Sequence, residues 1–357
     1  MSVAIIGGNS AGSFAAYKLA KSHDVSVYEK DTHFKKVCSG ILTASLFDIV
    51  PVKKEVIINS FSDVIIHAPN KKKIELHFKK KDIVVDKEAF NQSLSEMAID
   101  AGAHFFMHHN FKYLQGKKIV IQDTQSKKQK EFSQDYIIGA DGAQSLVAKS
   151  AGLLSHRTWK LAIKAVIKKK HNNAVQFYPF IEEIAWSSPH DSDHIEVGVV
   201  APVDKANAIF ETFVKRFGFG TIQKEAALVP LFDSAPKRQK ENIFLIGDAA
   251  GQVKATTYGG IMQGLKAANA CSKAINENGS YEREWRKAIG LDLYLHLQMR
   301  KALNKFTDSD WNRLVGYFQN ERLIHVLESF SRDYPSKFIA SLLMHEPRLF
   351  TFCTKAL

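Results

Sequence analysis

Residues 3–29 read VAIIGGNSAGSFAAYKLAKSHDVSVYE, and the pattern of this stretch decides the fold. Val3-Ala4-Ile5-Ile6 is a short unbroken apolar run, which predicts a buried strand. Gly7 to Gly12 is a turn of small residues, and Ser13 to Ser22 predicts a helix with Phe14, Ala15, Leu19 and Ala20 on its apolar face. Val25 to Tyr28 is a second strand, ending in the acid Glu29. Strand, glycine turn, helix, strand and acid in this order form a βαβ unit that binds a dinucleotide. The pyrophosphate sits on the free N–H groups at the helix N-terminus, and the acid accepts hydrogen bonds from a ribose. The turn is G-x-N-x-x-G, with Asn9 in place of the second glycine. Asparagine tolerates left-handed backbone better than most residues, but its amide takes up room beside the pyrophosphate.

Two distant segments point the same way. Residues 244–268 read FLIGDAAGQVKATTYGGIMQGLKAA. Ile243 to Ile246 is a buried strand, Gly247-Asp248 marks its end, and a helix starts near Ile261 behind Gly259-Gly260. Small residues let the backbone approach a flat ligand, and the helix N-terminus suits a group that carries or gains negative charge. Glu131 to Ile138 reads as another strand, running into Gly139-Ala140-Asp141-Gly142. There Asp141 is placed to reach a ribose or ribityl hydroxyl. Asp-Gly alone is a common turn; three such strand-to-turn passages in one chain are jointly specific.

The rest of the chain supplies a second layer. Phe61 to His67 and Lys73 to Phe78 read as a hairpin turning at Pro69-Asn70, and Asp86 to Ala101 as an amphipathic helix stopped by Gly102. A strand is read at Lys117 to Gln122. Leu161–Lys168, Ala174–Tyr178, Glu183–Trp186 and His194–Val200 read as strands of one antiparallel sheet, followed by a helix at Lys205 to Phe217. Helices are read at Tyr281 to Phe306 and Asp308 to Phe330, with short ones from Pro335 to Leu357.

Composition is that of a globular protein: 357 residues, 45% hydrophobic and 24% charged. Three cysteines are too few for a disulfide framework, which gives a reducing, cytoplasmic setting as the expectation. No apolar run of about 18 residues is present to cross a bilayer. The net charge of +12 is carried by lysine runs at 71–73, 79–81, 127–130 and 168–170. Solvated hairpin tips and edges account for them most simply, and a face attracted to anionic lipid or an acidic partner is the alternative. No nucleic-acid motif accompanies the charge, so no nucleic-acid partner is expected, and no metal.

The three segments together resemble the FAD-dependent para-hydroxybenzoate hydroxylase superfamily. Within it the chain is most similar to the geranylgeranyl reductases, especially the archaeal digeranylgeranylglycerophospholipid reductase-like enzymes. The Cys38-Ser39-Gly40 turn stands where those reductases carry a cysteine beside the flavin. Trp186-Ser187-Ser188-Pro189, then Gly198, is similar to part of their lipid-pocket motif. The resemblance implies an α/β (α+β) fold: a Rossmann-like FAD-binding domain (1–60, 80–157 and 240–282), an inserted antiparallel-sheet substrate domain (61–79 and 158–239), and a helical C-terminus (283–357).

It also implies site residues. FAD contacts carry over to Gly7, Asn9, Ala11, Gly12, Glu29, Lys30, Cys38, Ser39, Gly40, Lys87, Asp141, Gly142, Gly247, Asp248, Gly259, Gly260 and Ile261. Substrate contacts carry over to Trp186, Pro189, Gly198 and Tyr258, and Cys38 is the catalytic candidate. Several positions depart from the family: Lys87 replaces an arginine, Ala255 a proline, Tyr258 the first of three glycines, and Ala148 the hydroxylases' arginine after the DG motif. The implied activity is saturation of C=C bonds in geranylgeranyl chains of membrane lipids or their precursors. The implied partners are an isoprenoid lipid, an electron donor that is ferredoxin or NAD(P)H, and a membrane surface touched peripherally. A flavin monooxygenase of the same fold and a non-catalytic flavin- or isoprenoid-binding protein are the alternatives; a halogenase lacks its W-x-W-x-I-P signature here.

Overall fold

A computed structural model describes residues 1–34, 37–115, 118–153, 157–218 and 223–356. Lys35 and Lys36 of the cysteine-turn segment, the strand start read at Lys117, and the terminal Leu357 lie outside the described residues. The N-terminal strand Ser2–Ile6 pairs in parallel with Asp24–Tyr28 on one side and Tyr136–Gly139 on the other. The sheet extends to His104–Phe106 at one edge, and to Ile243–Leu245 and the antiparallel Gln239–Lys240 at the other. Its central strands are almost wholly buried, as expected of a parallel sheet covered on both faces.

Helices Ser10–Leu19, Lys87–Asp100 and Ile261–Asn276 cover one face and share a core with Trp285, Tyr281 and Leu293 from the chain's last third. The first helix begins at Ser10 rather than Ser13, so Ala11 and Gly12 belong to its first turn. Gly12 is required there, because a Cβ would lie 1.9 Å from the Gly7 carbonyl oxygen. Small residues also bring this helix against Ile261–Asn276: Ala11 Cβ lies 3.3 Å from where a Cβ on Gly264 would stand.

A second, eight-stranded sheet has the order Glu225–Pro230, Trp159–Lys168, His194–Ala201, Ile184–Pro189, Ala174–Tyr178, Ile57–His67, Lys73–Val85, Ile41–Leu42. It is antiparallel except where Ala174–Tyr178 runs parallel to Ile57–His67. The hairpin strands are longer than their alternation suggests. The boundaries expected at 60/61 and 79/80 therefore fall inside continuous strands, and Ile83 and Val85 join the core of the first sheet. The outer side of this hairpin packs under the C-terminal helices through Phe61, Val64, Leu76, Leu323, Leu342 and Phe352.

The single strand expected at Glu131–Ile138 is two. Gln129–Ser133 lies in a three-stranded sheet with His109–Gln115 and Lys118–Asp123, while Tyr136–Gly139 lies in the parallel sheet. The break is fixed at Asp135, whose carboxylate accepts from the Ser2 backbone N–H. The helix read across 308–330 is likewise two, Asp308–Tyr317 and Glu321–Ser329, the second capped by Asn320. The run read at 281–306 bends through one π-helical turn, Arg286–Gly290. Among the described residues no helix is long and apolar enough to cross a membrane.

Candidate functional site

The carboxyl ends of the parallel strands and one face of the second sheet enclose a cavity of about 1000 Å³. Two helices aim their N-termini into it, through Asn9 to Ala11 and through Gly260-Ile261. Neither helix has an acidic residue in its first turn or a side-chain cap.

The first strand ends at Gly7, with φ +100°, a conformation suited to glycine; a Cβ there would sit 2.4 Å from the Ala140 carbonyl oxygen. Asn9 has φ −72° and is extended, so the left-handed tolerance of asparagine is not used. Its side chain is tied instead to the second helix: Asn91 Nδ2 donates to Asn9 Oδ1 over 2.9 Å. Glu29 is buried. Its carboxylate accepts from the Gly8 N–H (2.7 Å) and the Asp31 N–H (3.1 Å), and still lines the cavity. That orientation fits a ribose diol.

Asp141 also lines the cavity, but its oxygens are occupied. They accept from the Leu146 (2.7 Å) and Val147 (3.1 Å) amides and from the Ser145 hydroxyl, fixing the start of helix Leu146–Ser150. Burial pushes its pKa up against these hydrogen bonds. Arg157 holds the Asp141 turn to the Asp248 turn, donating to the carbonyls of Ala143 (2.5 Å) and Ala249 (2.5 Å). Burial lowers its pKa, against the opposing charges of Asp141 and Asp248. Asp248 explains the second glycine of the pair, since a Cβ on Gly260 would lie 2.6 Å from Asp248 Oδ1.

Tyr258 has φ +57°, a left-handed conformation that favours glycine, the residue of the resembling family at this position. Its ring packs with Ile184, Trp186 and Val200 on the sheet face of the cavity. Its hydroxyl donates to Glu183 Oε2 over 2.7 Å, and burial raises its pKa. Glu183 is also paired with Lys160 and Arg300, so the loop before helix Ile261–Asn276 is bolted to the second sheet.

Of the expected site residues, four do not line the cavity: Gly12, Lys87, Pro189 and Gly198. Gly12 packs helix on strand. Gly198 lies behind Trp186, whose indole would be 2.2 Å from a Cβ at that position. Pro189 closes its strand in the sheet. Lys87 stands beside the Cys38 turn, its Cγ 3.6 Å from where a Cβ on Gly40 would be. The remaining expected residues do line the cavity: Gly7, Asn9, Ala11, Glu29, Lys30, Cys38, Ser39, Gly40, Asp141, Gly142, Gly247, Asp248, Gly259, Gly260 and Ile261, with Trp186 and Tyr258.

Sequence reading missed the ionic residues on the wall. Lys164 is one. Lys254 is another, paired with the wholly buried Asp333, to which Thr43 also donates. Each finds its partner far away in sequence, so no local pattern signals it. The donors fit FAD: two helix ends for a pyrophosphate and a flavin edge, an oriented acid for a ribose, and glycines where backbone must come close.

A family model described as an FAD binding domain matches residues 1–225. The chain is 24% identical to the digeranylgeranylglycerophospholipid reductase of Methanocaldococcus jannaschii, an alignment covering 98% of this chain and 96% of that one. Among solved structures, a geranylgeranyl bacteriochlorophyll reductase-like protein from Thermoplasma acidophilum superposes with a TM-score of 0.80 at 19% identity, covering 98% of both chains. The flavin-dependent halogenase CmlS superposes with a TM-score of 0.71 at 17% identity, covering 99% of this chain and 78% of its own. At these identities the two structures show a shared fold.

Proposed function

The chain belongs to the FAD-binding domain family and takes FAD as its cofactor, and from that premise we propose that it is a reductase saturating C=C bonds in geranylgeranyl chains of membrane lipids or their precursors. The observation that carries this reading is the joined cavity. FAD-type turns occupy one wall, and Phe177, Ile184, Trp186, Val200 and Val229 present an apolar face opposite. The names of the relatives, reductases of geranylgeranyl lipids, support the same substrate class.

Reduced FAD supplies the hydride. The protein's part is to hold an isoprenoid chain against that face, exclude water and deliver a proton, since an isolated alkene is a poor hydride acceptor on its own. Gly7, Glu29, Asp248 and the Gly259-Gly260-Ile261 loop hold the cofactor; Trp186 and Tyr258 shape the chain pocket. Cys38, half-buried in the cavity wall, is the candidate for a role at the reacting centre. The lysine runs are exposed and support an anionic partner, either an acidic redox protein such as ferredoxin or a phosphate-rich lipid surface; NAD(P)H is the other donor class. Exposed Met344 and Phe350 on the C-terminal helices support peripheral contact with a membrane.

The test is anaerobic reduction of the FAD-loaded protein with dithionite, followed by digeranylgeranylglyceryl phosphate in detergent and mass spectrometry of the lipid. Reduction adds two hydrogens per double bond; addition of oxygen in air marks an oxygenase, and an unchanged lipid marks a binding protein. In the same assay, Cys38→Ala lowers turnover with FAD retained; unchanged turnover removes Cys38 from the chemistry.

A further inference from the structure

Glu183 stands where three parts of the molecule meet, and two buried cations share it. Its side chain, 6% exposed, lies just before the second-sheet strand Ile184–Pro189. Lys160, from strand Trp159–Lys168, is 13% exposed and pairs with Oε1. Arg300, from helix Leu291–Leu303, is 3% exposed, and its Nε lies 3.4 Å from Oε2. The Tyr258 hydroxyl donates to the same Oε2 over 2.7 Å, and the Arg300 guanidinium stands 5.7 Å from the centre of the Tyr258 ring. Arg300 also donates to the carbonyls of Ala255 (2.9 Å) and Thr256 (2.8 Å), so it grips the loop before helix Ile261–Asn276.

Two cations therefore face one carboxylate. Among the described residues Lys160 and Arg300 have no other carboxylate partner. Burial opposes the charge on Glu183, but Lys160, the Tyr258 hydroxyl and Arg300 outweigh it and hold its pKa below the usual carboxylate value, so it stays ionised. Arginine is effectively always protonated. The set thus carries one positive charge more than it neutralises. The neighbouring ion pairs balance one to one, Lys254 with Asp333 and Arg332 with Asp82. His296, hydrogen-bonded to Thr256 in the same loop, is neutral, because burial and then the Lys254 charge lower its pKa to about 3. Fixing the loop accounts for the Arg300 N–H groups, but not for a second cation on Glu183. An excess buried charge is costly by itself. It becomes favourable when a group beside it gains negative charge, as FAD does on reduction.

We propose that Lys160, Glu183 and Arg300 form a buried charge set that raises the reduction potential of the bound FAD. The proposal rests on assigning the Gly260-Ile261 helix end to the flavin, and it does not depend on the lipid reading. Tyr258 joins the set to that end: its hydroxyl holds Glu183, and its own loop runs into Gly259, Gly260 and Ile261 along the cavity wall. None of the three charged residues lines the cavity, so they act through their field and through the loop, not by contact with the cofactor. The excess positive charge favours the reduced state. The protein then takes electrons from its donor more readily, and reduced FAD gives them up with less driving force.

The experiment is anaerobic reduction of the FAD-loaded protein in equilibrium with a reference dye of known potential, read from the absorbance of each. No lipid is present, so the outcome is separate from that of the reductase reading. Removing a cation and removing the anion should move the equilibrium in opposite directions. Lys160→Met and Arg300→Met each leave Glu183 one partner, and each should lower the ratio of reduced to oxidised FAD about tenfold, the effect of a unit charge about 10 Å away at an effective dielectric of about 20. For a two-electron couple that is a fall of about 30 mV. Glu183→Gln should raise the ratio by a similar factor. Arg300→Lys keeps the charge but gives up the forked grip on the loop, and should stay within about threefold of wild type. Tyr258→Phe, which changes no charge, should do the same. A purely structural role predicts another pattern, in which variants that loosen the loop shift together whatever their charge. Shifts of the same sign in Glu183→Gln and Arg300→Met overturn the proposal, and so do ratios within about threefold of wild type in both Lys160→Met and Glu183→Gln. Should Arg300→Met fail to hold FAD, Lys160→Met and Glu183→Gln carry the test, with opposite signs again required.

Discussion

At Glu29 and Tyr258 single side chains do work that neighbours cannot take over. Glu29 is held by two backbone amides, so its carboxylate is fixed in place on the cavity wall. Glu29→Ala leaves the Gly8 N–H without its partner and removes the proposed ribose acceptor. We expect FAD affinity to fall at least about tenfold, the equivalent of roughly 1.4 kcal/mol, measured by recovery of flavin fluorescence on dilution. Tyr258 is the departure that set this chain apart from the family pattern, and its surroundings explain why a ring is tolerated there. The backbone stays left-handed, while the hydroxyl and ring gain a carboxylate and an apolar wall. Tyr258→Phe strands part of the Glu183 carboxylate, which also keeps Lys160 and Arg300 in place, and should cost about 1–3 kcal/mol in a denaturant titration. A loss below about 0.5 kcal/mol would mean that Lys160 and Arg300 satisfy Glu183 unaided.

Among the elements, the pairing of the first strand with the first helix is the least tolerant. A methyl at Gly12 would overlap the Gly7 carbonyl at 1.9 Å, and backbone is what must move. Gly12→Ala should therefore give protein without bound FAD, or none that is soluble, whereas Gly142→Ala meets nothing within 4 Å and fails only through its φ of +83°. Absorbance of bound flavin after purification separates the two. This local geometry is also what made the nucleotide unit legible in the sequence. Glycines, apolar run and acid all fall within 27 residues, and their spacing is dictated by neighbours along the chain. Other elements were hidden because their pattern is not local. Glu131–Ile138 carries apolar residues across Asp135 without a glycine or proline, so it reads as one strand although its halves join different sheets. Edge strands Glu225–Pro230 and Ile41–Leu42 are short or half-exposed and carry little periodicity. The ionic wall of the cavity was illegible for the same reason: Lys164 with Glu196, Lys254 with Asp333 and Arg157 with the Asp248 turn are long-range pairs.

At the scale of the whole molecule, the C-terminal helices are part of the cavity. Arg332 and Asp333 line it, and Asp333 is paired with Lys254 from the loop before helix Ile261–Asn276. Asp333→Asn leaves the Lys254 ammonium buried without its counter-charge, at a cost of about 3–5 kcal/mol, and should expose the helices beyond residue 305 to limited proteolysis. Nearby, His296 is buried with Nδ1 hydrogen-bonded to Thr256, and its pKa falls to about 3 because of burial first and the Lys254 charge next. In the unfolded chain a histidine titrates near about 6.5. Below that pH the unfolded state binds a proton that the folded state refuses, so stability falls as pH falls, and keeps falling until about pH 3. Asp333 acts lower in the range. Burial opposes its charge, but Lys254 and Arg332 hold its pKa below the usual carboxylate value, so its contribution is intact at neutral pH and is lost only under stronger acid. His67 and His190 shift in the same direction as His296, but they are only half-buried. Among the histidines, His296 therefore contributes most to the loss of stability between about pH 6.5 and 4. The measurement is the thermal midpoint of the FAD-loaded protein at pH 7, 6 and 5, for wild type and for His296→Asn, which can still hydrogen-bond Thr256. Wild type should lose stability steadily on acidification and the variant should lose much less. Two parallel curves would place the acid sensitivity elsewhere in the fold.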